Sequence, residues 1–223
     1  MNGNVSCVLF DLDGTLVDTA PDLAYALNRT LINHGREPLP FEVIRPSVSL
    51  GGVAMVKLGF NLDETDPEFT PLRNEFLAIY RDNLSLHSSL FPGMEQVLAR
   101  LEDMNASWGI VTNKPAWLTN PLMQALQLDT RTDCIVSGDT LEQRKPHPAP
   151  LLHACEVLRC MPEETLYVGD ARRDIEAGTN AGMMTLVAAY GYIDTAENPQ
   201  NWGADGLIDS PEEILSWVQA GGK

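Results

Sequence analysis

The sequence predicts an α/β fold built on a parallel sheet and interrupted by one helical insertion. Two observations carry this reading. Short apolar runs ending in polar residues or glycine recur along the chain, and helical patterns follow most of them. Strands that alternate with helices are the mark of a parallel sheet. The alternation then fails once, between the first run and the second, where about ninety residues show helical character only.

The first strand is Val5–Phe10, an apolar run that leads straight into Asp11. A continuous run of this kind suits a strand covered on both faces. Trp108–Thr112, Cys134–Val136, Leu166–Val168 and Thr185–Ala188 repeat the pattern, and Gly206–Ile208 is a weaker sixth. Within the insertion, Pro21–Leu31 spaces Leu23, Leu27 and Leu31 four apart, with Thr19 as N-cap and Gly35 at C′. Asn74–Leu84 sets Phe76, Leu77, Tyr80 and Leu84 along one face. Further helices are expected around Trp117, Met123 and Leu126, over Leu151–Leu158 and over Ile175–Ala181. A crossover between parallel strands needs only about a dozen residues. The surplus therefore reads as an inserted module spanning 17–87, with 1–16 and 88–223 as the core.

Composition narrows the function classes. The 223 residues include 15 basic and 31 acidic ones, a net charge of −16. That disfavours nucleic acid, whose binding needs a basic footprint, and anionic membrane surfaces. Small anionic ligands stay open, because a metal or a few local cations decide their affinity. A 44% hydrophobic and 21% charged content excludes general disorder. No apolar run approaches the ~20 residues needed to span a bilayer. Met1–Phe10 has neither the basic start nor the cleavage-like site of a signal peptide. Cys7, Cys134, Cys155 and Cys160 form no CxxC pair and are expected as free thiols in a reducing cytoplasm. The tail Ala220–Lys223 is expected to fray.

The strongest chemical signal is Phe10-Asp11-Leu12-Asp13-Gly14-Thr15. Residues two apart on an extended chain share a side, and the carboxyl edge of a parallel sheet is where open α/β folds bind ligands. Two carboxylates there repel unless a cation or proton compensates. A solvated Asp-Gly turn is the alternative reading. Val168-Gly169-Asp170, with Asp174 four residues on, repeats the arrangement at another strand end. Asp174 also reads as a stabiliser of a helix N-terminus, worth ~0.3–1 kcal/mol. Four carboxylates on one edge suit a hard cation, and Mg2+ fits best with carboxylates, water and a substrate phosphate. No His/Cys spacing suggests zinc. Thr112 and Asn113 end the Gly109–Val111 run with a hydroxyl and an amide, and Lys145 is a cation that Pro146 restrains to extended geometry. The segment from Ser47 through Ser49 to Gly51 and Gly52 reads equally as a loop that approaches a ligand and as a helix-breaking turn.

In this order, Asp-Leu-Asp-Gly-Thr, Val-Thr-Asn, Lys-Pro and Gly-Asp-x-x-x-Asp resemble the four motifs of the haloacid dehalogenase superfamily, phosphatase branch. The likeness covers essentially the whole chain. It implies a Rossmann-like core with a small all-helical cap inserted after the first motif, and hydrolysis of a small phosphate ester with Mg2+. It implies Asp11 as the nucleophile that forms an aspartyl-phosphate, and Asp13 as general acid and base. Mg2+ would sit on Asp11, the backbone carbonyl of Asp13 and Asp170, with Asp174 acting through water. Thr112, Asn113, Lys145 and backbone amides near Gly14 would hold the phosphoryl oxygens.

Within the superfamily the chain is similar to phosphoglycolate phosphatases and, more closely, to N-acetylmuramic acid 6-phosphate phosphatases of bacterial cell-wall recycling. Val48–Gly52, Ala54–Val56, Trp108–Pro115, Tyr190–Ile193 and Asn198–Asp205 carry that likeness. Ser47, Ser49, Gly51, Gly52 and Trp202 are the expected leaving-group contacts. A phosphosugar mutase shares all four motifs and stays an alternative. A dehalogenase would have no use for Asp13 or the Asp170/Asp174 pair, and a non-catalytic module would be expected to lack a motif residue. No GxSxG, P-loop or dinucleotide fingerprint is present.

Overall fold

The computed structural model describes residues 5–132 and 134–218; the tail expected to fray lies outside the described residues. Strand β1 (Cys7–Phe10) is followed by β2 (Val17–Asp18) and by helices α1 (Ala20–Asn33), α2 (Phe41–Ile44), α3 (Gly51–Phe60) and α4 (Phe69–Arg81). The chain returns through β3 (Ser89–Leu90), α5 (Met94–Asp103), β4 (Ser107–Val111), α6 (Ala116–Ala125) and β5 (Ile135–Val136). It ends with α7 (Ala149–Leu158), β6 (Thr165–Gly169), α8 (Arg172–Asn180), β7 (Met184–Ala188) and β8 (Gly206–Ile208).

Six of these strands form one parallel sheet in the order β5-β4-β1-β6-β7-β8. β1, β6 and the end of β4 are wholly buried, as their unbroken apolar runs require. The chain leaves β1 toward β4 and β5, then crosses back to β6, so its direction of travel reverses at β1. That is the topological position where open sheets form a crevice. Register fixes what meets there. Phe10 is level with Ile110 on one side and Val168 on the other, so Asp11, Thr112 and Asp170 emerge together at one edge.

The stretch expected to be purely helical contains two short strands. β2 and β3 pair antiparallel, Val17 with Leu90 and Asp18 with Ser89, and α1 to α4 lie between them. Buried Asp22 accepts hydrogen bonds from His87 N–H (3.1 Å), Ser88 N–H (2.9 Å) and Ser88 Oγ (2.7 Å), tying the two connections together. Helix α1 packs on α3 and α4 through the spaced leucines. Its C-terminus follows the expectation: Gly35 takes φ +68°, and Arg36 N–H reaches back to the Leu31 carbonyl at 2.9 Å. At the other end Thr19 is the N-cap, yet its side chain makes no capping bond. The hydroxyl of Tyr192 accepts from Thr19 N–H (2.6 Å) and Ala20 N–H (2.9 Å) instead.

The expectation that no apolar run approaches membrane-spanning length is corrected. Phe41–Phe60 is a 20-residue run that is long and apolar enough, by length and composition alone, to cross a membrane. It is no straight rod: Pro46 and Gly51 (φ +79°) divide it into α2, a 3-10 helix over Arg45–Leu50, and α3. The helix expected around Trp117, Met123 and Leu126 is α6; Leu118, Leu122 and Met123 are buried, and Trp117 is 46% exposed. All four cysteines are free thiols.

Candidate active site

Asp11 leaves β1 with one carboxylate oxygen committed. Its Oδ1 accepts from Leu12 N–H at 2.7 Å and from Lys145 Nζ at 2.9 Å. The same ammonium reaches Asp174 Oδ1 at 2.7 Å and the Tyr167 hydroxyl at 2.8 Å, which uses all three of its protons. The Tyr167 hydroxyl is held in turn by the Val111 carbonyl at 3.0 Å. Lys145 is therefore a fixed buried cation, although its loop has no regular structure.

Asp174 lies in the first turn of α8, where its Oδ2 accepts from Ala171 N–H at 3.0 Å. The helix-stabilising role and the site role coexist. Asp170 Oδ2 accepts from Tyr192 N–H at 2.9 Å and from the Ser49 hydroxyl at 2.7 Å. Its Oδ1 is buried with no partner. Asp11, Asp170 and Asp174 each bring a carboxylate oxygen within 4.8 Å of the others. Burial, then Asp11 and Asp174, push the Asp170 carboxyl up to about 7. Burial also raises Asp11, against the pull of Lys145. Three carboxylates here face two cations, Lys145 and Arg173, so one negative charge is unmatched before any phosphate arrives. An orphaned buried oxygen, an all-oxygen donor set and a charge deficit fit a hard divalent cation.

Asp13 sits beside this cluster and is oriented from a different side. Its Oδ1 accepts from the Thr19 hydroxyl at 2.6 Å and from Lys114 Nζ at 2.8 Å. Lys114 also donates to the Tyr80 hydroxyl at 2.7 Å and lies 4.6 Å from the centre of that ring. Burial lowers the Lys114 pKa, but Asp13 and Tyr80 outweigh it and the net shift is upward, so the ammonium stays charged. A cavity of about 530 Å³ opens onto Asp11 and Asp13. Thr112 and Lys114 wall it on the sheet side; Ser49, Gly51, Arg73 and Tyr80 wall it on the helical side.

With this geometry in hand, comparison with known proteins is direct. The profile of haloacid dehalogenase-like hydrolases matches residues 8–188. The chain belongs to that family. It is 44% identical over 213 residues to the N-acetylmuramic acid 6-phosphate phosphatase of Pseudomonas putida, covering 96% of both chains. It is 42% identical to the phosphoglycolate phosphatase of Xylella fastidiosa, over 92% of this chain and 89% of the relative. A crystal structure described as a "predicted phosphoglycolate phosphatase" from Haemophilus somnus superposes with a TM-score of 0.85 at 28% identity, covering 96% of this chain and 98% of that one. This hydrolase is an enzyme of the phosphatase class.

Several side chains expected at the site have other work in this hydrolase. Asn113 lines the cavity but commits its oxygen and one amide proton elsewhere: Nδ2 donates to the Lys145 carbonyl at 3.0 Å, and Oδ1 accepts from Lys145 N–H at 3.1 Å. It fastens the backbone of the catalytic-side lysine. Gly14 donates its N–H to the Val17 carbonyl at 3.1 Å, so that amide is spent. The position needs glycine for another reason, because φ is +84° and a Cβ would collide with the Asp170 carboxylate. Thr112 Oγ1 accepts from Lys114 N–H at 3.1 Å and keeps its proton for the cavity. Ser49, Gly51 and Gly52 line the cavity; Ser47 and Trp202 do not. The half-buried Trp202 closes a short 3-10 helix over Pro199–Asn201, and Trp117 is the indole that faces the pocket. Lys114, Tyr80, Tyr167 and Arg173 were not foreseen as parts of the site. Lys114 follows Thr112 and Asn113 directly, and a lysine at a strand end was the one available signal.

Proposed function

We propose that this chain is a Mg2+-dependent phosphomonoesterase that works through an aspartyl-phosphate on Asp11, with N-acetylmuramic acid 6-phosphate as its substrate. The observation that carries the substrate reading is the cavity of about 530 Å³ beside Asp11 and Asp13. Pockets of ~300–1,000 Å³ enclose ligands of sugar size and above. A two-carbon phosphoglycolate would leave most of this one to water, and the exposed Trp117 would have no ring to face.

Asp11 and Asp170, which each bring a carboxylate oxygen to the cluster, would hold Mg2+ together with the Asp13 backbone carbonyl, and Asp174 would act through a bound water. The ion supplies charge neutralisation that lets a phosphate dianion approach three carboxylates. Asp11 Oδ2, which no described donor touches, attacks phosphorus as the bond to the sugar oxygen breaks. Asp13 gives its proton to that oxygen. A water molecule then attacks the aspartyl-phosphate, Asp13 takes the water's proton, and phosphate leaves. Thr112 and Arg173 face the growing charge as fixed donors, in place before the reaction starts, while Lys145, its three protons committed, holds Asp11 and contributes its positive charge. Residues 17–87 would serve as a cap that excludes bulk water and contacts the leaving group.

The test is a panel of phosphate esters assayed with Mg2+ for released phosphate. N-acetylmuramic acid 6-phosphate should exceed phosphoglycolate in kcat/KM by at least roughly tenfold, the return from one modest extra contact. Equal or better turnover of phosphoglycolate would favour the second reading, which the Xylella relative supports.

A further inference from the structure

Helix α4 turns one face into the cavity, carrying Arg73, Phe76, Leu77 and Tyr80. Tyr80 marks the catalytic end, because its hydroxyl meets Lys114 and Lys114 meets Asp13. Arg73 lies seven residues earlier. At ~1.5 Å of rise per residue it sits about 10 Å from Tyr80 along the axis. Side chains on a helix lean toward its N-terminus, which carries the guanidinium farther still from Asp13.

The Arg73 Nε is buried and has no hydrogen-bond partner, and no carboxylate among the described residues forms an ion pair with this side chain. A buried donor left unmade is costly, more so when charged. The other cations on the cavity wall differ. Lys114 is paired with Asp13; Arg173, whose Nε is likewise buried without a partner, has its charge met by Asp174, Asp11 and Asp170 and donates to the Ser49 carbonyl at 2.6 Å; Arg144 is exposed at the rim. Arg73 is thus a half-buried cation on the cavity wall, away from Asp13, with no ion-pair partner among the described residues.

We infer that Arg73 recognises a carboxylate on the leaving group, carried across a sugar ring from the phosphate, with Trp117 facing that ring. This rests on the phosphatase reading above and adds the residue that sets substrate class. A guanidinium matches a carboxylate with two parallel N–H donors, which an ammonium cannot do. The spacing selects among acids. The carboxylate of phosphoglycolate is next to the ester carbon, beside Asp13. The lactyl carboxylate of a muramic acid 6-phosphate lies on the opposite side of its ring, where Arg73 waits.

Two esters isolate this contact: N-acetylmuramic acid 6-phosphate, and N-acetylglucosamine 6-phosphate, which has the same ring, phosphate and acetamide without the lactyl ether. The unaltered enzyme should prefer the first by roughly 10- to 100-fold in kcat/KM, the usual return of a charged hydrogen bond. Arg73→Met should bring that ratio close to one through loss on the carboxylated ester, and Arg73→Lys should keep part of it. Calorimetric binding to the Asp11→Asn protein should show the same loss when Arg73→Met or Arg73→Gln is added, so the inference is read even without turnover. A ratio that Arg73→Met leaves intact, or an equal loss on both esters, overturns it. Failure of the unaltered enzyme to hydrolyse either ester would sink the proposed sugar-phosphate substrate instead, while the binding titration still decides the role of Arg73.

Discussion

The Tyr80 hydroxyl is the smallest handle on the link between the helical module and the chemistry. Tyr80→Phe removes one oxygen and leaves the ring in place over Lys114, so packing is nearly conserved. What is lost is the 2.7 Å hydrogen bond to a buried ammonium whose side chain is 6% exposed. A hydrogen bond to a charged group contributes ~1.5–3 kcal/mol, and each ~1.4 kcal/mol is tenfold. Lys114 would then hold Asp13 with one N–H fewer fixed, and the Asp13 carboxyl, 17% exposed, has only the Thr19 hydroxyl as a second restraint.

The expected result is a fall of about ten- to hundredfold in kcat/KM for an alkyl phosphate, no more than the low end of the ~10²–10⁴ that general acid–base help can supply. Lys114→Met should cost more. The double variant should cost no more than Lys114→Met alone, because the hydroxyl has nothing left to hold. Leaving-group dependence gives an independent check. p-Nitrophenyl phosphate expels a weakly basic oxygen that needs little protonation, so its bond-breaking step should suffer less than that of a sugar phosphate. Tyr80→Phe within twofold of the unaltered enzyme on the alkyl ester, or a double variant whose loss is the product of the two single losses, would refute the bridge.

Chelation should abolish turnover and Mg2+ should restore it; full activity in excess chelator would remove the metal from the mechanism. Asp11→Asn should block phosphoenzyme formation, checked by trapping with beryllium fluoride, which should no longer attach at position 11. Asn113→Ala should lower kcat by about tenfold with the fold retained, because two hydrogen bonds holding the Lys145 backbone are gone; an unchanged kcat would show that Lys145 is fixed by its own three contacts. The raised carboxyls predict a pH effect. An acid raised on folding stabilises the fold while protonated, so that contribution is full below the unfolded value of ~3.9 and is lost as pH rises toward about 7 for Asp170. Thermal melts should therefore show a larger gain from Mg2+ at pH 8 than at pH 5; equal gains would mean the ion does not relieve these charges.

The sheet and the two pairs of motif carboxylates were legible because each depends on local pattern. An apolar run buried on both faces announces its own strand, and a polar residue just past its end is placed by the strand rather than by a distant contact. Asp11 and Asp170 needed only the register of β1 with β6, which follows once both runs are strands. The side chains that depend on partners far along the chain were not legible. Asn113 has the type and position of a phosphate ligand, and only the return of residue 145 past it shows that its oxygen and one amide proton also hold the Lys145 backbone. Trp202 and Trp117 were told apart by which face of a helix and which side of the sheet each occupies, neither of which a short window reveals.

The least legible feature joins these residues into one device. The helical module touches the chemistry at two points. Ser49 reaches Asp170, 121 residues on, and Tyr80 reaches Lys114, which holds Asp13. Asp170 follows β6 and Lys114 follows β4, the two strands that flank β1, so the contacts straddle Asp11. On the mechanism proposed above, seating the module would orient a metal-site carboxylate on one side and the proton-transfer carboxylate on the other. A module that merely covered the cavity would need neither hydrogen bond. With both, the enclosed geometry and the reactive geometry become the same state, and a substrate that fails to seat the module leaves Asp13 and Asp170 less well held. Under that proposal substrate selection would act on the chemical step as well as on binding, since the helical segments that line the cavity also carry Ser49 and Tyr80.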